Sequence, residues 1–229
     1  GRQQDDRHYG EALAAANPNQ NAMAGRYHTR RTDVQWNNTV HLDQYVPDTS
    51  VTFGYEHMAD SITVRTSSTS GGFSFAQAAR ASMVSDAAYA GVQTTLWQRL
   101  TLTGQIRQDW VADNAPFTWR LGAVLDTPEI DTRFKLAYGT SFRAPSLFDR
   151  FGVDSFGYVG NPALKPETAQ GWEIGFTTTL PIGDRPDAVA FGTTYFNEQV
   201  NDLIVGVFAP VDTAVNIGSA HLQGFETEI

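Results

Sequence analysis

Alternation with a period of two governs this chain, and it restricts the fold more than any other feature. Between residues 133 and 143, Phe134, Leu136, Tyr138 and Phe142 interleave with Arg133, Lys135, Gly139, Ser141 and Arg143. A strand sends successive side chains to opposite faces, so this pattern describes a strand standing between two different solvents. The pattern recurs. Trp172, Ile174, Phe176 and Leu180 alternate with Gly171, Glu173, Gly175 and Thr179. Leu100, Leu102 and Ile106 face away from Thr101, Thr103, Gln105 and Arg107. Val34, Trp36, Val40 and Leu42 do the same against Gln35, Asn37, Thr39 and His41.

Nine strands follow from this pattern, at roughly 30–45, 50–65, 84–96, 100–111, 117–126, 131–143, 168–180, 188–203 and 213–229. In the second, the apolar set is odd at Val51, Phe53 and Tyr55 but even at Ile62 and Val64. A β-bulge between the two sets is the expected cause. Helical spacing is credible only around Phe75–Met83, inside a long connection expected over Thr66–Met83.

The connections alternate in length. Val46–Thr49, Trp97–Arg99, the turn at Thr127–Glu129 and Pro181–Asp187 are short. Thr66–Met83, Ala112–Pro116, Ala144–Glu167 and Ile204–Asp212 are longer. In an up-and-down meander every second connection lies at the same end, so one end carries turns and the other loops. Membrane β-barrels have this asymmetry. A soluble antiparallel sandwich also alternates. Its strands usually run to ~5–6 residues, whereas these run to ~10–14. The polar face here is rich in Thr, Gly, Gln and Asn and sparing of charge. Charged residues are 18% of the chain, against ~25% in a soluble domain. That suits a wet lumen. Trp97, Trp110, Trp119 and Trp172 fall near strand ends, where an aromatic girdle belongs.

Composition removes several other classes. The chain is 41% hydrophobic and has no cysteine, which excludes a disordered tail, a disulfide scaffold and a Cys-based zinc site. A formal charge of −9 without any Lys/Arg run argues against nucleic acid as a partner. No stretch reaches the ~20 apolar residues of a membrane helix, which leaves a barrel open.

Residues 138–176 read YGTSFRAPSLFDRFGVDSFGYVGNPALKPETAQGWEIGF. A strand ending in Tyr-Gly-x-Ser-Phe-Arg-Ala-Pro, then Gly-Asn-Pro-x-Leu-Lys-Pro-Glu and x-Trp-Glu-x-Gly, resembles the TonB-dependent outer-membrane receptors. Tyr195–Ile204 (YFNEQVNDLI) and Val215–Glu228 (VNIGSAHLQGFETE) resemble the two strands that follow in that family. The three signatures occur in order over 138–229, while 1–137 fits by strand pattern only. Within the family, Arg30–Leu42 and the Asn-Pro-x-Leu-x-Pro-Glu region look most like the vitamin B12 receptor branch.

The resemblance implies an all-β, antiparallel up-and-down transmembrane barrel, of 22 strands when whole, whose lumen holds an N-terminal plug domain. Nine strands would be part of such a barrel. Residues 1–229 are therefore expected to be an internal piece of the barrel domain, with plug and TonB box outside it. The implied function is active uptake of a bulky scarce nutrient, such as cobalamin or an iron–siderophore complex, across the bacterial outer membrane. The implied partners are the lipid bilayer, the nutrient and the TonB complex acting through the plug. No covalent chemistry, cofactor or metal is expected.

Two sets of residues stand out. Arg143, Pro145, Gly160, Asn161, Pro162, Leu164, Pro166 and Glu167 read as structural: the prolines and Gly-Asn-Pro shape the loop, and Leu164 would pin it to apolar surface. In the same loop, Phe148, Arg150, Phe151, Phe156 and Tyr158 are candidate ligand contacts, since aromatics give contact area and Arg seeks anions. Arg133, Lys135 and Arg143 are expected to face the lumen, and Phe134, Leu136 and Tyr138 to meet lipid.

Other chemistry is sparse. His8, His28, His41, His57 and His221 lack metal-ligand spacing; His41 and His221 are expected as lumen lining. Asp5 and Asp6, expected in a leading loop, lack the spaced pattern of a calcium site. A porin would share the alternation but not the three signatures. A β-barrel hydrolase would need a Ser/His pair, with Ser82 or Ser85 as nominal candidates.

Overall fold

The computed structural model describes residues 2–10, 22–70, 73–182 and 185–229. They form ten antiparallel strands in one sheet, ordered as in the sequence: β1 (Arg2–Gly10), β2 (Ala22–His41), β3 (Thr49–Ser70), β4 (Phe73–Leu96), β5 (Leu100–Val111), β6 (Phe117–Thr127), β7 (Thr132–Arg143), β8 (Glu167–Ile182), β9 (Arg185–Val207) and β10 (Thr213–Glu228). A short helix, α1 (Leu147–Phe151), lies between β7 and β8. Among the described residues β1 and β10 do not pair, so the sheet is open, as part of a larger barrel must be.

One strand, β1, and long extensions of β2, β3 and β4 were not expected. Asp5 and Asp6 belong to β1, in register with Thr29 and His28, rather than to a loop. Thr66–Ser70 and Phe73–Met83 are strand rather than loop or helix. They form the upper part of a hairpin whose ladder runs unbroken from Ser70↔Phe73 to Thr49↔Thr94. Alanine-rich FAQAARASM satisfies both periods, and pairing with Asp60–Ser68 of β3 settles it as strand.

Register fixes the faces. Leu136 of β7 stands opposite Ala123 of β6 and Ile174 of β8. From there one face collects Val34, Trp36, Phe53, Val92, Ile106, Leu121, Leu136 and Ile174, all exposed. The chain buries few apolar residues and exposes many, which a water-soluble protein does not tolerate over so wide a surface. An aromatic band borders this face, with ring centroids 5.0 Å apart for Trp119–Tyr138, 5.4 Å for Trp172–Tyr195 and 4.9 Å for Tyr195–Phe225. His221 departs from expectation. It lies on the same face as Tyr195 and Phe225, beyond the band, because its partner is Gln199.

The opposite face carries charge in pairs. Arg31 bonds Asp60 through two nitrogens at 2.7 and 2.9 Å. Arg120 meets Glu173 and Arg133 meets Asp126, each at 2.6 Å. Arg107 bridges Glu56 and Asp109 and lies over the Tyr89 ring. Gly54 is needed beneath it, since a Cβ there would collide with the Tyr89 hydroxyl and the Trp36 carbonyl.

The expected bulge in β3 is absent. Its register is continuous with β2 from Ser50 to Thr69 and with β4 from Thr49 to Ser70. Val51, Phe53 and Tyr55 face outward with the apolar band, whereas Ile62 and Val64 face inward and are 5% and 0% exposed. The apolar set changes face because the surroundings change, with no slip of the backbone. The outer surface turns polar above Ala59, whose β4 partner Val84 is still an exposed apolar residue, and the 144–166 loop covers the inner surface there.

The short connections share one end. Trp97, Gln98 and Arg99 join β4 to β5, with Trp97 and Gln98 at positive φ and the Arg99 amide donating to the Leu96 carbonyl at 3.0 Å. Pro128–Ile130 forms a 3-10 turn capped by left-handed Asp131 between β6 and β7. The 144–166 loop and the extended β2–β4 ladder rise from the other end.

Candidate functional site

The 144–166 segment reaches from β7–β8 across to the inner face of β2–β4. Arg143 and Glu167 stand opposite each other at its base, joined by two hydrogen bonds of 2.7 and 2.6 Å. Glu167 is buried and also accepts from the Ile204 amide at 2.7 Å, which ties the base to β9. Pro145 has no amide hydrogen to extend the ladder, so β7 ends at Arg143. A capping box starts α1: Ser146 Oγ accepts from the Asp149 amide at 3.0 Å, and Asp149 Oδ2 from the Ser146 amide at 2.9 Å.

Helix α1 then presents Leu147 to Ile62 and Val64, with Phe148, Phe151 and Val153 packed around them. Phe148 lies 6.1 Å from Tyr27 and stacks on Tyr158 at 5.1 Å, with 6° between ring planes. Arg150 donates to the Pro162 carbonyl at 3.1 Å and lies over Phe151. Its Nε is buried without a hydrogen-bond partner. Tyr158 donates to the Asp149 carbonyl, and burial plus the nearby charges of Asp149, Asp212 and Asp154 pushes its phenol up to about 12. Phe156 alone among the five aromatic and Arg candidates stands free, 71% exposed at a tip made by the Asp154 turn. The other four are engaged in holding the loop.

The Gly-Asn-Pro-x-Leu-Lys-Pro-Glu stretch fastens the descending limb. Gly160 passes so close to α1 that a Cβ would lie 2.5 Å from backbone atoms of Arg150 and Phe151. Asn161 donates to the Ala214 carbonyl of β10 and accepts from the Ala163 amide, both at 3.0 Å. Pro162 supplies the carbonyl that Arg150 holds. Leu164 is buried. Asn216 of β10 brackets Lys165, accepting from its amide at 2.9 Å and donating to its carbonyl at 3.0 Å. Pro166 then leads into Glu167 at the start of β8. Asn216 is the residue that sequence reading missed. Its signal was the asparagine that opens the third signature.

Beneath the loop lies an open cavity of about 630 Å³, lined by Arg31, Met58, Asp60, Asp109, Arg143 and Phe148. Ligand sites usually span ~300–1,000 Å³. Its polar floor and apolar roof suit a ligand with both kinds of surface. No group of His, Asp and Glu among the described residues could hold a metal ion. His57 Nδ1 lies 2.7 Å from Asp86, but on the outer face. Ser85 is on the other face, in register with Met58, and Ser82 lies four residues from Asp86 along the strand. No nucleophile–base–acid arrangement forms among them.

The family model for the TonB dependent receptor-like β-barrel matches residues 2–229. The chain belongs to the TonB-dependent receptor β-barrel family. Its strand-patterned first half and its signature-bearing second half are thus one stretch of a single barrel wall. A vitamin B12 transporter, BtuB, of Vibrio vulnificus is 31% identical over 138 residues, which is 56% of this chain and 20% of that protein. The BtuB of Photobacterium profundum is 28% identical over 142 residues, 57% of this chain and 20% of its own length. The chain thus spans about a fifth of the length of the curated relatives it matches. Among solved structures, the copper transporter OprC aligns with a TM-score of 0.75 at 15% identity, covering 99% of this chain and 39% of its own. The hemophore receptor HasR of Serratia marcescens, solved with its hemophore HasA and heme, aligns at 0.66 and 17% identity, covering 90% and 40%. The siderophore receptor PirA of Pseudomonas aeruginosa aligns at 0.56 and 16% identity, covering 99% and 57%. The family is one of receptors and transporters of the Gram-negative outer membrane. The apolar outer face of this chain therefore meets lipid, and the loop end, with the 144–166 segment, faces the cell exterior.

Proposed function

We propose that this chain is part of the wall of a receptor for active uptake of a bulky, scarce nutrient, cobalamin or an iron–siderophore complex. Energy would come from the TonB complex, acting through a plug domain in the lumen. The observation that carries this reading is the family match over residues 2–229, and the 31% identity to a vitamin B12 transporter favours cobalamin. The cavity under the 144–166 loop is the candidate entry chamber. Phe156 is the candidate ligand contact, while Phe148, Arg150, Phe151 and Tyr158 keep the loop in shape. The paired charges of the inner face give a plug a polar wall that binds it without excessive desolvation.

The test is uptake of radiolabelled cobalamin and of ferric siderophores by cells carrying the intact receptor, with and without TonB. Saturable uptake that vanishes without TonB supports the reading. Diffusive uptake indifferent to TonB would replace it with a passive channel.

A further inference from the structure

The outer face of the sheet has two unlike halves. From β6 to β8 it presents large apolar side chains, among them Trp119, Leu121, Leu136, Trp172 and Ile174. Across β3 and β4 it presents an ionisable cluster beside small residues. His57 and Asp86 stand opposite each other in register, and Tyr55 lies one step below His57 on the same face. The Tyr55 hydroxyl lies 2.5 Å and His57 Nδ1 2.7 Å from the same Asp86 oxygen, Oδ1. Apolar groups enclose the cluster: Val34 and Trp110 beside it in register, Val84 above, and Trp36 and Phe53 below. Among the residues whose side chains are described, Asp86 is the one carboxylate on the outer face of the sheet. Its side chain is 33% exposed, and that of His57 44%. A charge aimed at lipid lowers barrel stability, and ionisable groups at membrane depth ordinarily pair with a partner or mark a site.

The cluster leaves two groups unused among the described residues, Asp86 Oδ2 and His57 Nε2. A lipid tail can satisfy neither, and a second copy of the chain can satisfy both. A two-fold axis along the membrane normal keeps every residue at its own depth and exchanges left with right. His57 of one copy then faces Asp86 of the other, and the reverse. Neighbouring strands ~5 Å apart and tilted by ~35–45° put the two residues within ~3 Å of the same depth, inside side-chain reach. An imidazolium donates from both nitrogens, so each His57 bonds its own Asp86 through Nδ1 and the other copy's through Nε2. Relief matches as well as charge. Phe53 on β3 is in register with Ala90 on β4, which is in register with Ile106 on β5. Phe53 leans on Trp36, with ring centroids 5.8 Å apart, so Ala90 floors a furrow between Phe53 and Ile106. The same axis lays each Phe53 over the other copy's Ala90, and small residues let two membrane surfaces approach closely. Charge and relief are both self-complementary, as a two-fold contact requires.

We propose that the β3–β4 face joins two copies of this chain side by side in the outer membrane, about a two-fold axis along its normal. The inference rests on the outer-membrane placement and not on the identity of the nutrient. The apolar β6–β8 half remains free for lipid. The contact obeys mass action, so at high dilution in lipid the copies separate and the β3–β4 face meets lipid too.

The experiment uses the intact receptor in lipid vesicles, with Gln98→Cys in the β4–β5 turn as the sole cysteine, labelled with a donor or an acceptor dye. Energy transfer between receptors is followed as the receptor-to-lipid ratio is raised. The otherwise unaltered receptor is expected to show saturable transfer that unlabelled receptor competes away. H57D and D86H should each weaken association roughly thirtyfold or more, and H57D/D86H should recover it, because the exchange restores the facing pairs. A90W fills the furrow while keeping the face apolar, and should abolish transfer. Unchanged heat-modifiable mobility shows that a variant is folded, and if a single exchange does not assemble, A90W decides. The proposal is overturned if transfer is no greater than an unrelated labelled barrel gives at the same density. It is equally overturned if either folded single exchange or A90W associates as tightly as the unaltered receptor, or if a folded H57D/D86H fails to recover association.

Discussion

The lower and upper halves of β3 share one unbroken ladder and have opposite polarity. From Val51 to Tyr55 the apolar side chains face outward, and from Ile62 to Val64 they face inward. Below, the outside is lipid and the inside is a wet lumen lined by Glu56, Arg107 and Asp109. Above, the outside carries the polar Ser61, Thr63 and Arg65, and the inside is an apolar cluster made with Leu147 of the loop. Tyr55, His57 and Asp86 lie just below the changeover. Their side chains join on the outer face, with Tyr55 donating to Asp86 at 2.5 Å. A strand therefore displays the solvent on each side of it, and a shift of hydrophobic phase need not mean a shift of backbone.

Four perturbations sharpen this contrast. The largest effect is expected at the lipid face: Leu136→Arg should cost ~2–4 kcal/mol of barrel stability if it lies near the midplane, read from reversible unfolding in lipid vesicles. No loss there would place Leu136 away from lipid. Next comes the upper cluster. Ile62→Ala removes a buried side chain, a change worth roughly 2 kcal/mol at the low end of such deletions. Its cost should fall on docking of the 144–166 loop, so protease should cut the loop faster while the barrel keeps its unfolding midpoint. A lowered midpoint with unchanged cleavage would show that the cluster holds the barrel rather than the loop. Third, Glu167→Gln should weaken the loop base by about 1 kcal/mol, because the Arg143 partner is half exposed and can be hydrated instead. The same cleavage assay reads it. Smallest is the response to alkali. The Tyr158 phenol is raised from its ordinary value near 10 to about 12, so the protonated form is the one that the docked loop favours. Its contribution is complete below pH ~10 and disappears as pH rises towards ~12. Loop cleavage should increase over that window in wild type and not in Tyr158→Phe.

Most of the sheet was legible because each lipid-facing strand obeys one rule. β5, β6 and β7 fall within one residue of their expected limits, since Leu100–Ile106, Trp119–Leu125 and Phe134–Phe142 alternate without interruption. The failures lie where the surroundings are mixed. Above the membrane, Thr66–Met83 has no lipid to demand alternation, and its alanines fit helix as well as strand. The nearness of Arg30, Arg65 and Arg80 on one face of β2–β4 was hidden for another reason. Each arginine obeys its own strand, but adjacency of Arg30, Arg65 and Arg80 depends on register, which no single strand encodes. In the loop, residue types suggested ligand contacts, and only the fold reveals that Phe148 and Tyr158 stack on each other.

The most direct test of the solvent switch is a scan of single spin labels along β3, from 51 to 65, in the intact receptor in lipid vesicles. The described chain offers a clean background, since it contains no cysteine. Accessibility to oxygen, which concentrates in lipid, is compared with accessibility to a water-soluble nickel complex. Odd positions should be lipid-accessible at 51, 53 and 55 and water-accessible at 61, 63 and 65. Even positions 62 and 64 should be protected from both reagents until the 144–166 loop is deleted. If 62 and 64 were instead lipid-accessible, the backbone would have slipped by one residue, and the continuous register at the centre of this account would be wrong.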